Sequence, residues 1–231
     1  MKGYIVRFSR RQRIEHFSVM TVFIILSLTG LPQKFFEASW AQALIVGLGG
    51  IDRVRWIHRA AGVAFALLTG IHLTTAVGLV LLGRSSLSIV PTRQDFTDAI
   101  DQIRYYLGGS EEPARFDKFD YKQKFEYWGL VLGAVIVIST GLVLLFPILT
   151  AQFLPGEVIP AAKLAHGNEG LMAFLVVIVW HIYNAHLNPD VFPFDTTIFT
   201  GKISLDRLHH EHGREYERLK DEQSPSDPAS I

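Results

Sequence analysis

The chain has no cysteine in 231 residues. Disulfides are excluded, and with them thiolate zinc sites, cysteine-held iron–sulfur clusters and covalent c-type haem, which needs C-x-x-C-H. Any redox centre has to be held by histidine. Net charge is missing too: 22 Lys and Arg balance 22 Asp and Glu, so the balance itself says nothing about nucleic acid or acidic partners; no nucleic-acid partner is expected. Acid is absent from residues 1–13, which carry Lys2, Arg7, Arg10, Arg11 and Arg13. No small-residue cleavage site follows the first apolar run, which ends in Gly-Leu-Pro-Gln-Lys. That run is expected to stay in place rather than be removed as a signal peptide.

Charge is scarcest in four long stretches, in a chain that is 49% hydrophobic with a mean hydropathy of +0.25. Between Glu169 and Asp190 there are 20 residues without a charged side chain, enough to cross a bilayer core. The pattern predicts spans at about 14–32, 54–83, 126–148 and 164–187. The expected fold is an all-α membrane protein, a four-transmembrane-helix bundle over residues 1–205. Residues 206–231 read as a cytoplasmic tail, partly disordered at its Ser/Pro-rich end. The loop 84–125 holds seven Lys and Arg, whereas the link between spans three and four holds only Lys163. By the positive-inside rule both termini are expected in the cytoplasm, in a multi-pass protein of the bacterial inner membrane. Within that loop Phe96, Ile100, Ile103 and Leu107 share one helical face. The helix is read either as lying on the membrane or as packed on the loop.

Six of the nine histidines lie in or at the ends of spans: His16, His58, His72, His166, His181 and His186. An imidazole in a span is expensive and marks a functional site by default. His166 and His181 would lie about 22 Å apart along the helix axis and about 60° apart around it. The topology puts His58 and His166 at the outer surface and His16 and His181 at the inner one. Two imidazoles on one iron leave no open position, which suits b-type haem used for electron transfer. Arg13, Arg59 and Lys163 sit near these histidines and are candidates to pair with haem propionates; snorkelling explains them equally well. His72 leaves three readings open. It replaces His16 opposite His181, shares a third haem with His186, or hydrogen-bonds a propionate or quinone. Haem b is therefore expected in two or three copies. Thr-Gly recurs at Thr29-Gly30, Thr69-Gly70 and Thr140-Gly141, small pairs that admit close approach of a helix or a flat cofactor. Span three has no histidine and reads as packing. His209, His210 and His212 are expected to be solvated rather than to bind metal.

Several motifs follow one another in order: Arg13-x-x-His16; Arg55-Trp56-Ile57-His58 with Gly62; Tyr121-Lys122-Gln123-Lys124 with Trp128, then Thr140-Gly141. After these come His166, His181-Ile182-Tyr183, Gly201-Lys202-Ile203-Ser204, His209-His210 and Tyr216. In order and spacing they resemble the gamma, cytochrome b subunit of membrane-bound respiratory formate dehydrogenases. That family stands within a wider b561-like group with hydrogenase and thiosulfate reductase cytochromes b. The resemblance covers almost the full length. It implies an outer haem on His58 and His166 and an inner haem on His16 and His181. It also implies a quinone site before span three, where the family has a polar residue and this chain has Asp120. Lys124 and His72 join Asp120 as candidate proton or quinone contacts. The His166–His181 spacing is one residue longer than the family's, His72 is additional, and the segment Asn184 to Pro193 differs.

The expected function is electron transfer between an extracytoplasmic iron–sulfur or multihaem cytochrome c subunit and the membrane quinone pool, menaquinone or ubiquinone. Membrane lipid is the remaining partner. The rivals are a stand-alone b561-type quinone reductase or superoxide oxidase, and a haem-free membrane anchor.

Overall fold

The structure is a computed structural model, and it describes residues 3–189 and 191–223. Four helices are long and apolar enough to cross a membrane. They are α1 (Arg10–Lys34), α3 (Ile51–Leu81), α5 (Tyr121–Leu145) and α7 (Val158–Leu175), the last continuing to Leu187. Two short helices link them, α2 (Ser39–Gly47) and α6 (Pro147–Phe153). At about 1.5 Å per residue, 25 residues reach about 37 Å, more than the hydrocarbon core. Helical hydrogen bonding runs past the charge-free stretches into Arg10, Arg11 and Arg13 of α1 and Tyr121 to Glu126 of α5. Hydropathy sees only the apolar part of each helix. Gly49 and Gly50, at φ of 94° and 96°, turn the chain into α3 in a region open to glycine.

The fourth span is not α-helical throughout. Val176–His181 and Tyr183–Leu187 are π-helical. A π turn closes its hydrogen bond one residue later than an α turn. His181 closes the first of these π-helical segments.

The chain divides into two compact units. Arg10–Leu81 and Gly129–Asp195 form the one that carries most of each span; the described parts of 1–9, 82–128 and 196–231 form the other. In this second unit β1 (Tyr4–Val6) pairs antiparallel with β2 (Lys202–Ser204), Ile5 opposite Ile203. It also holds α4 (Arg93–Tyr106), α8 (Thr197–Thr200), α9 (Leu205–Glu211) and α10 (Gly213–Gln223). The residues after 205, expected as a tail, are folded as far as Gln223, and the Ser/Pro-rich end lies outside the described residues. The N-terminal strand, the loop between spans two and three and the C-terminal segment are thus one body.

Polar groups hold this unit together. The buried Arg7 guanidinium donates to the Glu215 carboxylate and to the Lys118 carbonyl. Its Nη2 also lies 3.1 Å from His212 Nε2. His212 Nδ1 is 2.7 Å from the Asp117 carbonyl, which can only accept. The proton is therefore on Nδ1, and Nε2 accepts from Arg7. His212, expected in solvent, is buried, because its ring completes the Arg7 site.

Burial, with the Arg7 charge beside it, presses the His212 imidazole down to about 4. An unfolded chain takes up that proton near pH 6.5. The stabilisation is complete above about pH 6.5 and is lost as pH falls toward 4, by about 1.4 kcal/mol per pH unit. Hydrogen-exchange protection of α9 and α10 is expected to decline over that interval. In His212→Asn it is expected to be lower at pH 7 and to lose that slope. Arg7→Ala strands Glu215 and costs about 3–5 kcal/mol, read as loss of the same protection.

Candidate functional site

Two histidine pairs form inside the span-bearing unit. His58 on α3 faces His166 on α7 with ring centres 6.2 Å apart and planes at 86°. His16 on α1 faces His181 with ring centres 6.2 Å apart and planes at 38°. His58 and His166 are each held from a neighbouring helix. Thr29 donates its hydroxyl to the Ile25 carbonyl at 2.6 Å, so its oxygen accepts from His58 Nδ1 at 3.0 Å. Thr140 donates to the Ile136 carbonyl at 2.6 Å. His166 Nδ1 donates to the Val137 carbonyl at 3.0 Å, with Thr140 Oγ1 at 3.2 Å. With the proton fixed on Nδ1, the lone pair of each ring is on Nε2.

Glycine makes both contacts possible. A Cβ on Gly30 would lie 3.0 Å from His58 Cε1, and one on Gly141 3.2 Å from His166 Cε1. Thr29-Gly30 and Thr140-Gly141 are thus matching seats, a hydroxyl acceptor beside a position without a side chain. Thr69-Gly70 is different, since a Cβ on Gly70 meets nothing. Span three, read as packing, supplies one seat. His16 Nδ1 is buried without a hydrogen-bond partner.

The remaining candidates are spread more widely. His72 Nδ1 lies 3.1 Å from Glu15 Oε2, and Arg11 Nη1 donates to Glu15 Oε1 at 2.7 Å. The sequence reading missed Glu15, a lone acid between the basic leader and the charge-free part of span one. The His186 ring stacks on Phe194, ring centres 4.2 Å apart. Arg13 is half-buried on α1, whereas Arg59 and Lys163 are exposed. Asp120 and Lys124 belong to the second unit. Asp120 Oδ1 accepts from the Gln123 backbone N–H at 2.7 Å, at the start of α5. Burial raises its carboxyl above the ordinary range, against the pull of the Gln123 backbone and Lys122. Lys124 Nζ is buried in an ion pair with both Asp95 oxygens at 2.7 and 2.9 Å. Among the described residues no group of three His, Asp or Glu side chains forms a cluster for a metal ion.

Both donor pairs fit an iron held between two imidazoles. Two metal–nitrogen bonds of about 2 Å, plus the reach from each nitrogen to its ring centre, give about 6 Å between ring centres. Both pairs meet that spacing. Four neutral nitrogen donors and no thiolate also suit b-type haem.

Residues 7–191 match the family of prokaryotic cytochrome b561. The chain belongs to that family. Membership makes it a multi-pass membrane cytochrome b and implies b-type haem and electron transfer. Among curated relatives, the cytochrome b556(Fdn) subunit of the nitrate-inducible formate dehydrogenase of Escherichia coli K12 is 22% identical over 181 residues, 78% of this chain and 77% of the relative. The same subunit of Shigella flexneri matches equally. The cytochrome b556(fdo) subunit of formate dehydrogenase from Escherichia coli K12 is 24% identical over 184 residues, 78% of each chain.

For this cytochrome the glycine seats give a direct test. Gly30→Ala and Gly141→Ala each drive a methyl group against a histidine ring and are expected to lower the haem absorbance per polypeptide. Gly47→Ala and Gly156→Ala, outside the four spans and with nothing near the added methyl group, are expected to leave it unchanged.

Proposed function

We propose that the chain is a dihaem electron carrier between a redox subunit outside a bacterial cytoplasmic membrane and a quinone within it. The observation that carries this reading is the pair of facing imidazoles at each end of span four, both with ring centres 6.2 Å apart. His58 and His166 would hold the outer haem and His16 and His181 the inner one. Haem, when bound, supplies a one-electron carrier at each level, about 22 Å apart along the span. His72, next to Glu15, is a polar neighbour and not a ligand, and His186, stacked on Phe194, is likewise outside the set. Arg13, Arg59 and Lys163 lie on the right helices to meet propionates. Asp120, with its raised carboxyl, is the candidate to hand a proton to a quinone, menaquinone or ubiquinone. The relatives are subunits of formate dehydrogenases, which supports a partner subunit with iron–sulfur or multihaem c centres on the outer side. The basic leader and basic loop 84–125 support cytoplasmic termini.

An Nδ1–H that donates a hydrogen bond makes its ring a stronger electron donor to the metal. His58 and His166 both donate one. The outer pair therefore favours the oxidised iron more than imidazoles without that bond would.

Pyridine haemochrome analysis is expected to give about two haems per chain. His58→Ala or His166→Ala should remove the outer one, and His72→Ala should remove none. A haem-free protein, made with ample haem supply, would sink the reading. Thr29→Val, which removes the hydroxyl acceptor of His58 Nδ1, should retain both haems and raise the outer haem's midpoint potential by roughly 60 mV, a tenfold change for one electron. Thr29→Ser should leave it in place.

A further inference from the structure

Helix α4 is amphipathic in the reverse sense to a helix packed on a soluble core. Its buried residues are Asp95, Asp98 and Gln102. Its apolar stripe faces out: Phe96, Ile100, Ile103 and Leu107 are 72%, 52%, 54% and 82% exposed. The buried groups are all satisfied. Asp95 pairs with Lys124 and closes a capping box with Thr92. Asp98 takes a two-pronged pair from Arg214 at 2.7 and 2.9 Å. Gln102 Oε1 accepts from the Ala114 backbone N–H at 3.0 Å. The polar face is the fixed one, so the apolar face has a fixed outward direction.

We propose that this stripe lies in the lipid headgroup layer, making α4 an in-plane membrane anchor at the polar end of α5. Three observations commit the stripe to lipid. Asp95 in the first turn of α4 is bound to Lys124 in the first turn of α5, a membrane span. The start of the helix is thus tied to the polar end of that span. The same turns of α5 present an exposed Phe125 and Trp128, the latter donating its indole N–H to the Ile89 carbonyl at 3.1 Å. Aromatic residues at the polar end of a span mark the membrane interface. Exposed Arg93 and Arg104 lie on either side of Phe96, Ile100 and Ile103, as basic residues do on helices that rest on anionic lipid. A helix with an apolar face and charged flanks lies in the interface plane rather than across it. This reading goes beyond electron transfer and does not rest on it.

The absence of cysteine makes the test clean, since an introduced thiol is the only one. The full chain with Ile100→Cys, and separately Ile103→Cys, would carry an environment-sensitive fluorophore in nanodiscs of phosphatidylcholine and phosphatidylglycerol. Glu112→Cys, in the exposed loop after α4, is the water-facing reference. The expected result at both stripe positions is blue-shifted emission, several-fold stronger quenching by lipids spin-labelled near the headgroup, and protection from aqueous iodide. Iodide quenching equal to that at 112, without lipid quenching, would overturn the proposal. So would protection from both quenchers, which means a protein surface covers the stripe.

Discussion

A proton on imidazole Nδ1 inside a membrane span has no water to bind. It must find an oxygen within the protein or cost several kcal/mol. Much of the span-bearing unit follows from meeting that demand at His58 and His166. Thr29 and Thr140 are both already donors to their own helices, so each hydroxyl oxygen is left as an acceptor. To reach it the ring must lie against the neighbouring helix, and there a side chain would collide. Glycine at 30 and 141 removes the collision. The same contact decides which nitrogen keeps its lone pair, and so which atom can bind a metal. Span three has no histidine, yet through Thr140, Gly141 and the Val137 carbonyl it sets the orientation of one.

The second unit inverts the usual arrangement, with charges inside and apolar side chains out. Arg7 with Glu215, Lys124 with Asp95 and Arg214 with Asp98 each join segments far apart in sequence. A buried pair of this kind adds little net stability over an apolar substitute, but losing one partner costs about 3–5 kcal/mol. Such pairs therefore specify one arrangement strongly. That matters for a unit assembled from an N-terminal strand, a loop and a C-terminal segment, which share a small apolar core around Ile203 and Leu208. Apolar residues that a soluble domain would spend on a core are free to face lipid here.

The sequence made some of this readable and hid the rest for identifiable reasons. Absence of charge marks a span whatever its neighbours are, so the four crossings were visible. Depth along a span follows from residue number, so His58 could be set opposite His166 and His16 opposite His181, and these are rings that face each other. Rotation about a helix axis relative to its neighbour does not follow from residue number. For that reason the approach of His72 to Glu15, and the choice of Thr29 rather than Thr69 as a seat, were out of reach. Periodicity grouped Phe96, Ile100, Ile103 and Leu107 on one face of α4, but it does not say what that face meets. The buried state of His212 depends on Arg7, 205 residues away. Lys124 looked available for chemistry because its partner Asp95 lies in a different helix.

Span four has to address two different helices, α3 through His166 and α1 through His181. In an unbroken α-helix fifteen steps would carry His181 about 60° past the direction of His166. The π turn at Val176–His181 takes up one residue in its longer hydrogen-bonded ring. His181 then points nearly where fourteen α-helical steps would send it, about 40° to the other side. The change in aim is therefore close to 100°, enough to decide which neighbour the ring meets. A loop could absorb an extra residue by bulging outward. A membrane span cannot, because every backbone N–H needs an acceptor in the same segment, and a π turn keeps those acceptors while shifting the register. The π-helical turn is therefore the departure from α-helical geometry that aims His181 toward His16.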